Sequence, residues 1–136
     1  MDAMDTALAH RAQATFALLG PAVFPIHGPW NSRLEVEVVD TGIAGDARTF
    51  IVVLPWGLEG VIFAPDDRFP SSIALGGRRH RVFRQELRGL GHFLTVELVE
   101  NVTPLASSRH ARKVACLIGP SFRDAVARAR QELFAA

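Results

Sequence analysis

The sequence predicts an α+β fold: a mainly antiparallel five-stranded sheet with an N-terminal helix and two C-terminal helices. Three observations predict it. Apolar residues recur at helical spacing near both ends of the chain, the stretch between them alternates or runs apolar in short β-branched segments, and Gly, Pro and Asp separate those segments. Residues 1–136 read as a single domain, within the usual span of about 100–200 residues. A chain of this length buries roughly two-thirds of its unfolded surface, so neither a disulfide nor a metal is needed to hold a core.

From Ala3 to Leu19, Met4, Leu8, Ala12, Phe16 and Leu19 mark one face of an amphipathic helix, and Gly20-Pro21 is expected to stop it. The loop to Asn31 carries Pro21, Pro25, Gly28 and Pro29, with Phe24 and Trp30 expected to pin it to the core. Leu34-Glu35-Val36-Glu37-Val38 alternates as a half-buried strand does, and Asp40-Thr41-Gly42 through Gly45-Asp46 supplies a turn. Phe50 to Leu54 is a continuous apolar run suited to a central strand buried on both faces, ended by Pro55. Gly60 to Ala64 is the third strand. Leu75-Gly76-Gly77 is a turn whose glycines can take positive φ. Arg79 to Arg84 reads as a polar strand at a sheet edge, and His92 to Val99 as the fifth strand. Ser107 or Ser108 caps a helix carrying Ala111, Val114, Ala115 and Ile118. Gly119-Pro120 is expected to break it before a last helix from Ser121 to Phe134.

Composition excludes fibrous, disordered, transmembrane and disulfide-framework classes: 49% of residues are hydrophobic, 21% are charged, and Cys116 is the single cysteine. The net charge of +1 conceals an asymmetry. Residues 1–70 hold four arginines against nine acidic residues, net −5, and residues 71–136 hold eleven basic against five acidic residues, net +6. Such a dipole either steers a partner or docks the two halves on each other. No apolar run reaches 18 residues and the first residues carry Asp2 and Asp5 rather than basic charge, so a cytoplasmic protein without membrane insertion is expected.

No catalytic constellation is legible. The histidines at 10, 27, 80, 92 and 110, with Cys116, show no CxxC, HxxxH or HExxH spacing, so no metal site is expected and Cys116 reads as a buried, inert thiol. There is no GxSxG elbow, no GxGxxG and no Walker loop, hence no enzyme and no cofactor. Glu35 and Glu37 share a strand face, and Asp66 and Asp67 beside Pro65 suit a turn. An enzyme pocket assembled from distant residues such as His92 and Glu97 stays open. The basic run Arg78 to Arg88, with Phe83 among five arginines, is the alternative site, able to track a phosphate backbone, though a pI near 8.1 argues against nucleic acid.

Leu54-Pro55-Trp56-Gly57-Leu58 is the most unusual feature, a proline and a tryptophan between two very apolar strands. Trp56 either caps one end of the core or belongs to a peptide-binding patch, since tryptophan is favoured at binding hot spots. The stretch Val52-Val53-Leu54-Pro55-Trp56-Gly57-Leu58-Glu59-Gly60-Val61-Ile62-Phe63-Ala64-Pro65 resembles the NiFe-hydrogenase assembly chaperones of the HybE type, in which aliphatics lead into Pro-Trp, a second aliphatic run and a proline. Asn31-Ser32-Arg33-Leu34-Glu35-Val36 and Glu86-Leu87-Arg88-Gly89-Leu90-Gly91-His92-Phe93-Leu94 are similar to flanking parts of that family. Val96-Glu97-Leu98-Val99-Glu100-Asn101-Val102 departs from its Ser-Leu-hydrophobic-Ser-Pro segment. The resemblance implies a cofactor-free accessory protein that binds hydrogenase subunit precursors, including a twin-arginine leader. On this reading Pro55, Trp56, Leu58 and Phe63 line the partner surface, and Glu59, Asp66 and Asp67 form an acidic rim that meets the basic leader.

Overall fold

The computed structural model of the chain describes residues 3–26, 28–66 and 68–135, with side chains from residue 6 to residue 133 within those stretches. Met4, Asp67 and Phe134, named above, therefore fall outside what can be described for side chains. The elements run α1 (Ala3–Val23), β1 (Glu37–Ala44), β2 (Ala47–Leu54), β3 (Gly57–Phe63), β4 (Ser72–Leu75), β5 (Arg78–Leu87), β6 (Gly91–Val99) and α2 (Ser108–Ala135). The sheet has six antiparallel strands in the order β1-β2-β3-β6-β5-β4, and the helix that follows it is one element rather than two.

The β2–β3 hairpin lies at the centre, buried on both faces as the apolar runs require. Strand alternation sorts its side chains into two cores. Phe50, Val52, Leu54 and Val61 face α1 with Ala12, Phe16, Phe24, Trp56 and Phe93. Ile51, Val53, Leu58 and Ile62 face α2 with Leu94, Val96, Ala111, Ala115, Phe122 and Val126. The α1 side is aromatic: ring centroids lie 5.0 Å apart for Phe16 and Phe24, 5.9 Å for Phe16 and Phe93, 5.4 Å for Phe50 and Phe63 and 5.5 Å for Phe63 and Phe93.

Both helices run through the Gly-Pro pairs expected to end them. In α1, Gly20 is buried beside the Trp56 ring, where a Cβ would sit at an ordinary contact distance of 3.4 Å. The helix continues to Val23, Phe24 N–H donating to the Gly20 carbonyl at 2.7 Å. The buried stripe is accordingly Ala12, Phe16, Gly20 and Val23, which leaves Leu19 41% exposed. In α2, a Cβ on Gly119 would collide with the Asp40 carboxylate, which instead accepts from Arg123 at 2.5 Å. Pro120 faces solvent. A proline inside a helix costs about 3 kcal/mol. Burying Phe122, Val126 and Ala125 beyond it in the same core as Ala111 and Ala115 returns about 1.5–3 kcal/mol for each large side chain, so the helix stays continuous. Cys116, one residue past the buried Ala115, is turned off that stripe and is exposed, contrary to the buried thiol expected.

The sheet edges also differ from expectation. Residues 34–36 precede β1, and Asp40 to Gly42, expected as a turn, lie within it at a bulge between Val39 and Gly42, with Asp40 at φ 50°. The outer side of β1 is covered by α1, because the Gln13 amide donates to Val36 O at 2.6 Å and accepts from Val38 N at 2.5 Å. The strand rich in arginine is not the outermost one. Ser72–Leu75, read from sequence as loop, pairs with Arg78–Arg81 through a turn in which Gly76 and Gly77 take φ 60° and 76°. Gly60 faces α2, and a Cβ there would clash with the Phe122 ring. Gly60→Ala is expected to lower unfolding free energy by about 1–3 kcal/mol through overpacking, measured by chemical denaturation with an unchanged folded spectrum.

Candidate functional site around the Pro55-Trp56 turn

Pro55 and Trp56 are the two central residues of the β2–β3 hairpin, between the paired Leu54 and Gly57. Neither takes positive φ. The proline ring fixes the first position near −65° and denies a donor where the ladder ends. Trp56 is 4% exposed and its indole N–H donates to Phe24 O at 3.0 Å, so the polar end of the ring is satisfied inside the core. Trp30 lies on it with ring centroids 5.1 Å apart at 32°.

Asn31 holds this arrangement. Its backbone N–H donates to Pro55 O at 2.7 Å, and its buried side-chain amide donates to Val102 O and Leu105 O, each at 2.9 Å. The loop after α1 is thus tied to both the hairpin turn and the segment leaving β6. Gly28 fits against Glu100 O with no room for a side chain. Nothing local in the sequence marks Asn31 for this role, since its side-chain acceptors stand more than seventy positions away.

Of the residues expected to line a partner surface, Pro55, Trp56, Leu58 and Glu59 are buried, Leu58 in the core toward α2. Phe63 is half-buried among Phe50 and Phe93. Asp66 is exposed and accepts from Arg130 at 2.9 Å and from Arg68 N at 2.8 Å; Asp67 lies outside the described residues. What reaches solvent over the turn is the chain that covers it. Of the seven large hydrophobic residues exposed among the described residues, Leu18, Leu19, Ile26 and Trp30 come from one stretch, with Trp30 56% exposed. Trp30, expected to pin its loop to the core, does so with one ring face and presents the rest to solvent. The signal in the sequence was its setting beside Gly28 and Pro29, where no periodicity buries it.

The acidic rim takes a different form from the one expected. Glu59 faces α1 and pairs across strands with Val52 and Glu97. Burial, and then repulsion from Glu97, pushes its carboxyl up to about 8. It therefore carries a proton at neutral pH. Asp66 and Asp46 are held below the usual carboxylate range, first by hydrogen bonds from Arg130, which also donates to Arg68 O. His92 and Glu97 stand on opposite faces of β6 by alternation, so they share no pocket floor. Three of the five arginines expected to track phosphate have protein partners: Arg79 on Ser72, Arg84 on Phe69 O at 3.0 Å, and Arg81 over the Phe83 ring at 4.9 Å. Ser107 accepts from His110 N at 3.1 Å and the His110 ring accepts from Ala106 N at 3.2 Å, a reciprocal cap at the start of α2. Among the described residues no group of three His, Cys, Asp or Glu side chains is gathered as a metal site, and no helix is long and apolar enough to cross a membrane.

The chain matches no family model, no curated protein and no solved structure.

The Glu59 proton links stability to pH. Between about pH 4.5 and 8 the folded state holds a proton that the unfolded chain has released, so stability falls as pH rises through this window, by up to about 5 kcal/mol. Thermal unfolding midpoints measured from pH 5 to 9 are expected to decline in the native chain and to decline less in Glu59→Gln, which keeps the neutral form.

Proposed function

We propose that the chain is an accessory protein that binds NiFe-hydrogenase subunit precursors during maturation, a twin-arginine leader among the segments engaged, without catalysing a reaction and without a cofactor. The observation that carries the binding reading is the exposed apolar stretch Leu18 to Trp30, seated on the Pro55-Trp56 turn. An exposed tryptophan on a rigid buried support is the kind of group that contributes most at protein interfaces, because desolvating it is favourable and little order is lost on binding. The hydrogenase assignment rests on the resemblance carried by Val52–Pro65 and its flanks. On this reading Pro55, Trp56, Leu58 and Phe63 support the partner surface from beneath and Trp30, Ile26 and Leu19 touch the partner. Glu59, being protonated, and Asp66, being held by Arg130, contribute little negative charge to a basic leader. The exposed Glu100, whose carbonyl lies against Gly28, is better placed to do so.

Trp30→Ser is expected to reduce co-purification of a hydrogenase subunit at least tenfold while circular dichroism and the unfolding midpoint stay close to native. Trp56→Ala is expected to lose both binding and stability, since it empties a core site. Undiminished capture by Trp30→Ser places the partner elsewhere, and absence of any hydrogenase subunit removes the assignment.

A further inference from the structure

The far edge of the sheet carries a second feature that the Trp30 surface does not use. β4 is the last strand and pairs on one side only, with β5. Val82 N–H reaches Ser71 O at 2.8 Å, so the backbone groups of Ser71 point toward β5. Backbone groups alternate in direction along a strand, so Ile73 and Leu75 point inward as well, while the N–H and C=O of Ser72 and Ala74 point away from the sheet. The Arg79 guanidinium reaches round to Ser72 O at 3.3 Å. Ala74, exposed, is left with both of its backbone groups open among the described residues.

A hollow of about 130 Å3 lies between this edge and the C-terminal half of α2. Ile73, whose side chain faces α2, forms its floor with Ala125 and Ala129, and Arg79, Arg128 and Glu132 stand around it. Because β4 itself lines the hollow, a strand laid along the outside of β4 has the hollow beneath one of its faces. The residue opposite Ile73 in such a strand projects to the α2 side, into the hollow, and the residue opposite Ala74 projects to the other side. Arg78, in the pair that closes the Gly76-Gly77 turn, and Arg128 are exposed, and neither holds an ion pair or a hydrogen bond among the described residues. Arg79 is held by the uncharged Ser72. Three cations thus stand at this edge against Glu132.

We propose that the outer edge of β4 and this hollow form one strand-addition site, which takes an extended acidic segment of a protein partner with a small apolar side chain opposite Ile73. Main-chain hydrogen bonds to Ala74 supply affinity, the hollow selects the side chain, and carboxylates flanking it meet Arg78 and Arg128. A second copy of this chain does not fit, since pairing two β4 edges sets six arginines against two glutamates, and short cationic edge strands resist pairing with themselves. A twin-arginine leader also has the wrong charge for this edge. The site therefore goes beyond the surface at Trp30 and shares with that reading only the premise that the chain binds protein.

The test uses the full chain immobilised against a display library of random twelve-residue peptides, with enriched peptides remeasured by fluorescence anisotropy. Enrichment of sequences with an alanine or valine between acidic residues is expected. Binding should fall at least tenfold in Ala74→Pro, which removes an outward donor and leaves the bonds to β5 in place, and in the double variant Arg78→Glu with Arg128→Glu, which reverses two exposed charges. Ala74→Ser should bind as the native chain does. Should Ala74→Pro misfold, the native chain still decides: peptide binding is expected to slow hydrogen exchange of the Ala74 amide at least tenfold. No enrichment, enrichment indifferent to both variants, an Ala74 amide left unprotected by peptide, a dimer in which that amide is already protected, or retention of single-stranded RNA in place of peptide overturns the proposal. A peptide bound at this edge with no hydrogenase subunit captured would sink only the maturation reading; the reverse outcome would sink only the edge site.

Discussion

The rest of the fold depends on a hairpin that cannot face water on either side. β2 and β3 are apolar at nearly every position, so a single covering layer would leave half of those side chains exposed, at about 1.5–3 kcal/mol for each large one. The chain meets this with two different covers, an aromatic layer under α1 and an aliphatic one under α2. The glycine at 60 lets the second cover come close, beneath Phe122.

Charge holds the second cover in place. Arg112 pairs with Glu37 at 2.9 Å, Arg123 with Asp40, and Arg130 with Asp46 at 2.6 Å and Asp66. Each joins an arginine of the basic half to an acid of the acidic half, so much of the dipole read from the sequence is spent inside the molecule. Arg130 is the buried member, its side chain 3% exposed, and its five hydrogen bonds to Asp46, Asp66 and Arg68 O make the burial of a guanidinium tolerable. On β5, Arg79 and Arg84 are held instead by Ser72 and by Phe69 O.

The candidate site was legible only in part, for a geometric reason. Pro55-Trp56 could be recognised as unusual from the sequence because few residues between two apolar strands can make a tight turn. That Trp56 is shut off from solvent was not legible, because the residues that cover it, Gly20, Phe24 and Trp30, come from a different part of the chain. Glu59 likewise looks like an ordinary charged strand residue until its neighbours Val52 and Glu97 are brought beside it.

Periodicity and composition by themselves determined the α+β class, the central position of Phe50–Leu54, the Gly76-Gly77 turn and the serine cap of the last helix, since each rests on interactions within a few residues. Tertiary structure decided the sixth strand, the continuity of both helices through Gly-Pro, the exposure of Cys116 and the identity of the outward-facing apolar residues. In every one of these the local preference amounts to at most about 3 kcal/mol, and burial against a distant element exceeds it or redirects it.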